Sequence, residues 1–80
     1  MDAEELKPMI NHFGEVVPVY FGAIGDAGVC GKDKRGRVIT ITNCSSKRLV
    51  KPGDIWDCLV LDVDNETVTV RPSQKLCSII

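Results

Sequence analysis

The stretch Ala27-Gly28-Val29-Cys30-Gly31-Lys32-Asp33-Lys34-Arg35-Gly36-Arg37-Val38-Ile39-Thr40-Ile41-Thr42 decides how the rest of the chain reads. In its middle, Asp33-Lys34-Arg35-Gly36 has the composition of a tight hairpin turn, with Gly36 supplying the positive φ that such a turn requires. The flanks then become two paired strands, 27–31 and 37–42. In the latter, Ile39 and Ile41 alternate against Val38, Thr40 and Thr42, so one face is apolar and the other half polar.

Working outward from this hairpin, every segment after Gly14 reads as strand and turn. Residues 16–23 place Val17, Val19 and Phe21 on one face and Val16, Pro18 and Tyr20 on the other, and Pro18 argues for an edge or irregular position. Gly22, Gly25, Gly28 and Gly31 suit a bend or bulge between this strand and the next. A polar loop over 43–48 leads to the turn Pro52-Gly53-Asp54, then to a fourth strand from Ile55 to Asp62 or Asp64. Its inward face holds Trp56, Cys58 and Val60. Asp64-Asn65-Glu66 makes a second hairpin turn, and 67–71 is a fifth strand with Val68 and Val70 inward, terminated by Pro72. Five short strands leave exposed edges unless they curl, so the expected fold is mainly β, a five-stranded barrel.

The two ends read differently. Leu6, Met9, Ile10 and Phe13 recur at helical spacing, Asp2 suits an N-cap, Glu4 and Glu5 suit the first turn, and Gly14 suits a stop. A short N-terminal helix is therefore expected within 1–14, with Phe13 as its buried anchor and Pro8 tolerated only near its start. The barrel occupies 15–72. A tail over 73–80, with Leu76, Cys77, Ile79 and Ile80 apolar, packs on the barrel or marks an interface.

The chain has 80 residues and a formal net charge of −1, which allows one core. No apolar run approaches the roughly 20 residues of a membrane span, and the acidic N-terminus is unlike a secretory signal, so a cytoplasmic location is expected. Charge is nonetheless segregated. Between residues 32 and 51 stand Lys32, Lys34, Arg35, Arg37, Lys47, Arg48 and Lys51 against Asp33 alone, while Asp54, Asp57, Asp62, Asp64 and Glu66 follow without a base. Cys30, Cys44, Cys58 and Cys77 are separated by 14, 14 and 19 residues and form no closely spaced pair. That spacing favours reduced packing cysteines over disulfides or a zinc site.

Three segments carry a family resemblance. Gly25-Asp26-Ala27-Gly28-Val29-Cys30 resembles the G-[DE]-G-[IV]-[AG] bend of TRAM domains, with one residue inserted. Gly36-Arg37-Val38-Ile39-Thr40-Ile41 resembles the strand that follows that bend, and Val50-Lys51-Pro52-Gly53-Asp54-Ile55-Trp56 resembles the P-G-[DE] approach to strand four. Together these liken residues 15–72 to the OB-fold group, and more narrowly to the TRAM and S1-type RNA-binding barrels. The resemblance implies an OB-like barrel that binds RNA or single-stranded nucleic acid across strands two and three.

The basic cluster falls at that location. Lys32, Lys34, Arg35 and Arg37 surround the hairpin between strands two and three, and Lys47, Arg48 and Lys51 lie on the following connection; all seven are read as surface positions, which either face phosphates or, as a solvated tip, keep a strand edge soluble. Among the aromatic residues, Phe21 and Trp56 share core faces, which leaves Tyr20 as the best ring for stacking a base. Catalytic patterns are lacking: Gly31-Lys32 does not belong to a phosphate-binding loop, and His12 is the sole histidine. Asp62 and Asp64, two apart on one strand face, could ligate a hard cation only weakly, and Asp64-Asn65-Glu66 reads as turn chemistry. The expected function is thus a non-catalytic nucleic-acid-binding module needing no cofactor and no metal. The alternative is a protein-interaction or homodimerisation module that uses the apolar ends.

Overall fold

Alternation along each strand writes the core into a single twisted sheet. The computed structural model describes residues 7–25 and 28–79, so the expectations placed on Asp2, Glu4, Glu5, Leu6, Asp26, Ala27 and Ile80 lie outside the described residues. The strands are β1 (Val16–Phe21), β2 (Ala23–Gly25), β3 (Gly28–Lys32), β4 (Val38–Ile41), β5 (Asp54–Val63) and β6 (Thr67–Ser78), with a short 3-10 turn at Ser45–Arg48. They form one six-stranded sheet in the order β1-β5-β6-β4-β3-β2. Neighbours run antiparallel except β4 and β6, which pair in parallel from Val38 opposite Thr67 to Ile41 opposite Val70.

The expected inward faces meet in one core. Val19, Phe21, Ile39, Ile41, Trp56, Cys58, Val60, Val68 and Val70 are all buried, joined by Ile10 and Val50. Burying a residue of this size removes it from water at roughly 1.5–3 kcal/mol each, which is what a sheet this small has to set against chain entropy.

The barrel expectation needs correction. Among the described residues there are six strands, and the hydrogen-bonded ladder is not closed. β1 spends its ladder bonds on β5; the chain then turns at Gly22, and β2 pairs with β3. The two ends of the sheet are consecutive in sequence, and β1 touches β3 without forming a ladder with it. Contact is close where they meet. A methyl group on Gly31 would lie 2.5 Å from the Tyr20 carbonyl oxygen and 3.3 Å from Val19 Cγ1, so only glycine fits there.

The N-terminal helix is also overturned over its described part. Residues 7–14 are not helical and run as a strap across the 33–37 hairpin. A helix would use its carbonyls internally, but here the hairpin takes them: Lys34 N–H donates to the Pro8 carbonyl at 2.9 Å and Arg37 Nη2 to the Ile10 carbonyl at 2.6 Å. Ile10 is the buried anchor, and Phe13 is 72% exposed. Gly14, at φ +89°, ends no helix; its N–H donates to the Val60 carbonyl.

Pro72 does not terminate the last strand, and 73–78 is no tail. β6 continues to Ser78 on its pairing with β5 alone: Thr42 N–H still donates to the Val70 carbonyl, and the ladder with β4 stops where Pro72 has no N–H to give. The register against β5 shifts at this point, with Asp57 opposite Gln74 and Cys58 opposite Pro72, and Ser73 Oγ bonds the Asp57 carbonyl at 2.9 Å. The hairpin turn at Asp33-Lys34-Arg35-Gly36 forms as expected, with Gly36 at φ +80° and its N–H donating to the Asp33 carbonyl.

Candidate functional site

The hairpin that carries the basic cluster is organised by Asp33, which the sequence marks only as a residue of the turn. Its Oδ1 accepts the backbone N–H groups of Arg35 at 3.0 Å and Arg37 at 2.8 Å, closing an Asx-type turn. Its Oδ2 takes Arg37 Nε at 2.8 Å, with both side chains withdrawn from solvent. The Arg37 fork also reaches the Ile10 and Asp64 carbonyls. Arg37 is therefore no phosphate-facing cation: its donors are engaged within the protein, where they tie strap, hairpin and β5–β6 turn together. The expectation that it lies on the surface is corrected.

The remaining six basic residues separate into two groups. Lys32 ends β3, while Lys34 and Arg35 are exposed on the turn, where Arg35 Nη2 bonds Asn11 Oδ1 at 3.3 Å. Lys47 and Arg48 close the 3-10 turn, with Lys47 half-buried and its Cε 3.7 Å from where a methyl on Gly28 would stand. Gly28 begins β3 and Lys32 ends it, so the two groups flank that strand at about 13 Å, four steps of strand rise. Lys51 is exposed in the loop whose Gly53 N–H donates to the Phe21 carbonyl at 2.8 Å. The seven cations do not converge on one groove.

The carboxylates explain which group is the more open to an anion. Val38 N–H donates to the Glu66 carbonyl at 3.0 Å, and Arg37 bonds the Asp64 carbonyl, so the acidic β5–β6 turn stands beside the basic hairpin. Asp64 itself acts in that turn, accepting from Asn65 N–H at 2.8 Å. At the other end, Asp54 is buried and spoken for. Its Oδ2 accepts Lys51 N–H and Trp56 Nε1, and its Oδ1 lies 3.6 Å from Lys75 Nζ. Burial alone would push this carboxyl up; the bonds from Lys51, Trp56 and Ser78 and the Lys75 charge outweigh it and hold the group below its ordinary value.

Between the two basic groups lies the outer face of β3 and β4. Since Gly31, Ile39 and Ile41 point inward, Cys30, Lys32, Val38 and Thr40 point outward. A cleft of about 210 Å³ opens here, walled by Tyr20, Gly22, Ala23, Cys30, Lys32 and Val38. Tyr20 alternates outward as expected, and its ring lies against Gly22, where a methyl would stand 2.4 Å from Cε2. A second hollow, also of about 210 Å³, adjoins it over Gly28, Cys30, Val38 and Thr40 and reaches round to the core-facing Val29 and Ile41. The two share Cys30 and Val38, making a shallow apolar track that starts at Tyr20 and Lys32 and runs to the Gly28 end of β3, where Lys47 packs.

The sequence reading found Tyr20 and Lys32 but not the small residues that hollow the cleft. Their signal is the recurrence of Gly22, Gly25, Gly28 and Gly31, which in sequence suits a bend or bulge and gives no sign of a cleft. The cysteines are free thiols: Cys58 buried, Cys30 and Cys44 half-buried, Cys77 exposed. Burial, with the charge of Asp57 added, pushes the Cys58 thiol up to about 12, which makes it a packing residue at neutral pH. Comparison with known proteins gives no match to a protein-family model, a curated protein or a solved structure.

Proposed function

We propose that this chain is a small OB-like module that binds RNA or single-stranded nucleic acid, without catalysis, on the outer face of β3 and β4. The observation that carries the reading is the apolar track beginning at Tyr20, with Lys32 near one end and Lys47 near the other. An aromatic ring for a base and cations spaced along a strand for phosphates are the two elements that single-strand binding needs. The strand order supports the OB-like description. A bent first strand, β1 continued as β2, pairs with β5 on one half and β3 on the other, and β4 runs parallel to β6. The binding residues on this reading are Tyr20, Lys32, Lys47, Arg48 and Lys51, with Lys34 and Arg35 as a flank moderated by Asp64 and Glu66.

The test is fluorescence anisotropy of a labelled mixed-sequence RNA or DNA strand at ~50 and ~200 mM salt. Three phosphate contacts on a single strand weaken binding by about 18-fold over that range, so a loss of about tenfold or more is expected. Absence of binding at the lower salt overturns the proposal.

A second reading, self-association, has its own observation. Leu76 and Ile79 are exposed at the far end of the sheet, on and just beyond β6, and Phe13 and Val16 are exposed at its opposite edge. A mass in solution that falls when residues 76–80 are deleted is the outcome that reading requires.

A further inference from the structure

We infer that the cleft beside Tyr20 is a receptor for a single unpaired nucleobase, held by its faces and not read by its edge; the inference rests on the nucleic-acid reading above. Its walls are the reason. Gly22, Ala23 and Gly31 bring only backbone and a methyl, and Val38 and Cys30 bring an isopropyl group and a weakly polar thiol. None of these side chains offers the paired donor and acceptor that would match a Watson–Crick edge, and Lys7 and Lys32, which also line the cleft, bring donors alone. What the cleft does offer is a slot of about 210 Å³ beside the Tyr20 ring, room for one flat heterocycle of either size.

Charge fixes what the ring must be attached to. Lys32 stands at the rim, exposed, and the neighbouring cations Lys34 and Arg35 are exposed as well. An aromatic ring carried on an anion satisfies cleft and rim together. The acidic turn at Asp64 and Glu66 disfavours phosphates on its side, so the backbone of the strand leaves the cleft along β3 toward Lys47. A base locked in a duplex cannot enter, because its faces are already covered by its stacked neighbours.

The experiment compares three labelled decamers on the full chain: oligo-uridine, oligo-adenosine, and a sugar-phosphate strand lacking bases. The expected result is that the two natural strands bind within about threefold of each other, and that the abasic strand binds at least about tenfold more weakly, as loss of stacking requires. Cys30→Trp fills the cleft and brings the natural strands down to the abasic affinity, its fold checked by far-ultraviolet circular dichroism. Equal affinity for natural and abasic strands overturns the base receptor and leaves the phosphate-binding module intact. A preference of about a hundredfold for one base overturns the claim that the edge goes unread. Failure of all three strands to bind overturns both readings.

Discussion

Replacing Arg37 by alanine removes the residue that joins three segments, and the cost follows from its contacts. The guanidinium holds the buried Asp33 carboxylate at 2.8 Å and the Ile10 carbonyl at 2.6 Å, while Arg37 itself is only 8% exposed. Removing one partner of a buried pair leaves the other charge uncompensated, at about 3–5 kcal/mol. A chain of this size has on the order of 4–12 kcal/mol of stability in total, so the loss is a large share of it. At about 4–8 °C per kcal/mol for a domain of this length, Tm falls by at least about 12 °C. The assay is urea and thermal unfolding followed by circular dichroism, with Lys34→Ala as the surface control expected to stay within about 0.5 kcal/mol. Arg37→Lys keeps the charge but loses the fork, and should recover only part of the loss. A loss under about 1 kcal/mol in Arg37→Ala would refute the clamp and return Arg37 to the surface role that its neighbours suggest.

Four further outcomes are expected. Gly31→Ala drives a methyl into the Tyr20 carbonyl at 2.5 Å and should cost about 1–3 kcal/mol in urea unfolding. Because Asp54 titrates below its ordinary 3.8, the unfolded chain takes up this proton first as pH falls; the stability it contributes is present above 3.8 and lost on descending through the lower folded value, and Asp54→Asn should flatten that acid limb. Cys58, raised to about 12, keeps its proton when the unfolded thiol loses it near 9.0, so stability should decline as pH rises above 9.0; iodoacetamide should label Cys77 in the native protein and Cys58 only after unfolding. Lys32→Ala combined with Lys47→Ala should weaken nucleic-acid binding by more than tenfold at ~50 mM salt and shift Tm by no more than about 4 °C, the scale of a surface change.

The part of the fold legible in the sequence is the part governed by period-two alternation. Val19 with Phe21, Ile39 with Ile41, and Val68 with Val70 all face the core where alternation put them. What was not legible depends on partners distant in the chain. Lys34, Arg35 and Arg37 are chemically alike in sequence, and only the strap from residue 7 to 14 crossing the hairpin decides that Arg37 is the buried one. The strap was itself read as a helix, because Met9, Ile10 and Phe13 have helical spacing; the competing demand for the Pro8 and Ile10 carbonyls comes from residues 34 and 37. Pro72 ends only the ladder on its N–H side, where pairing with β4 stops, while β5 goes on pairing with β6 as far as Ser78. The cleft was half legible. Tyr20 could be assigned outward by alternation, whereas the wall of Gly22, Ala23 and Cys30 exists only because the chain bends at Gly22 to pair β2 with β3.

The most direct test of the central claim is an amide chemical-shift map of the full chain titrated with a short single strand at ~50 mM salt. The account predicts shifts concentrated at Tyr20, Gly22, Cys30, Lys32, Thr40 and Lys47, with Phe13, Leu76 and Ile79 unmoved. Shifts confined to those last three residues, or none at saturating strand, would contradict it.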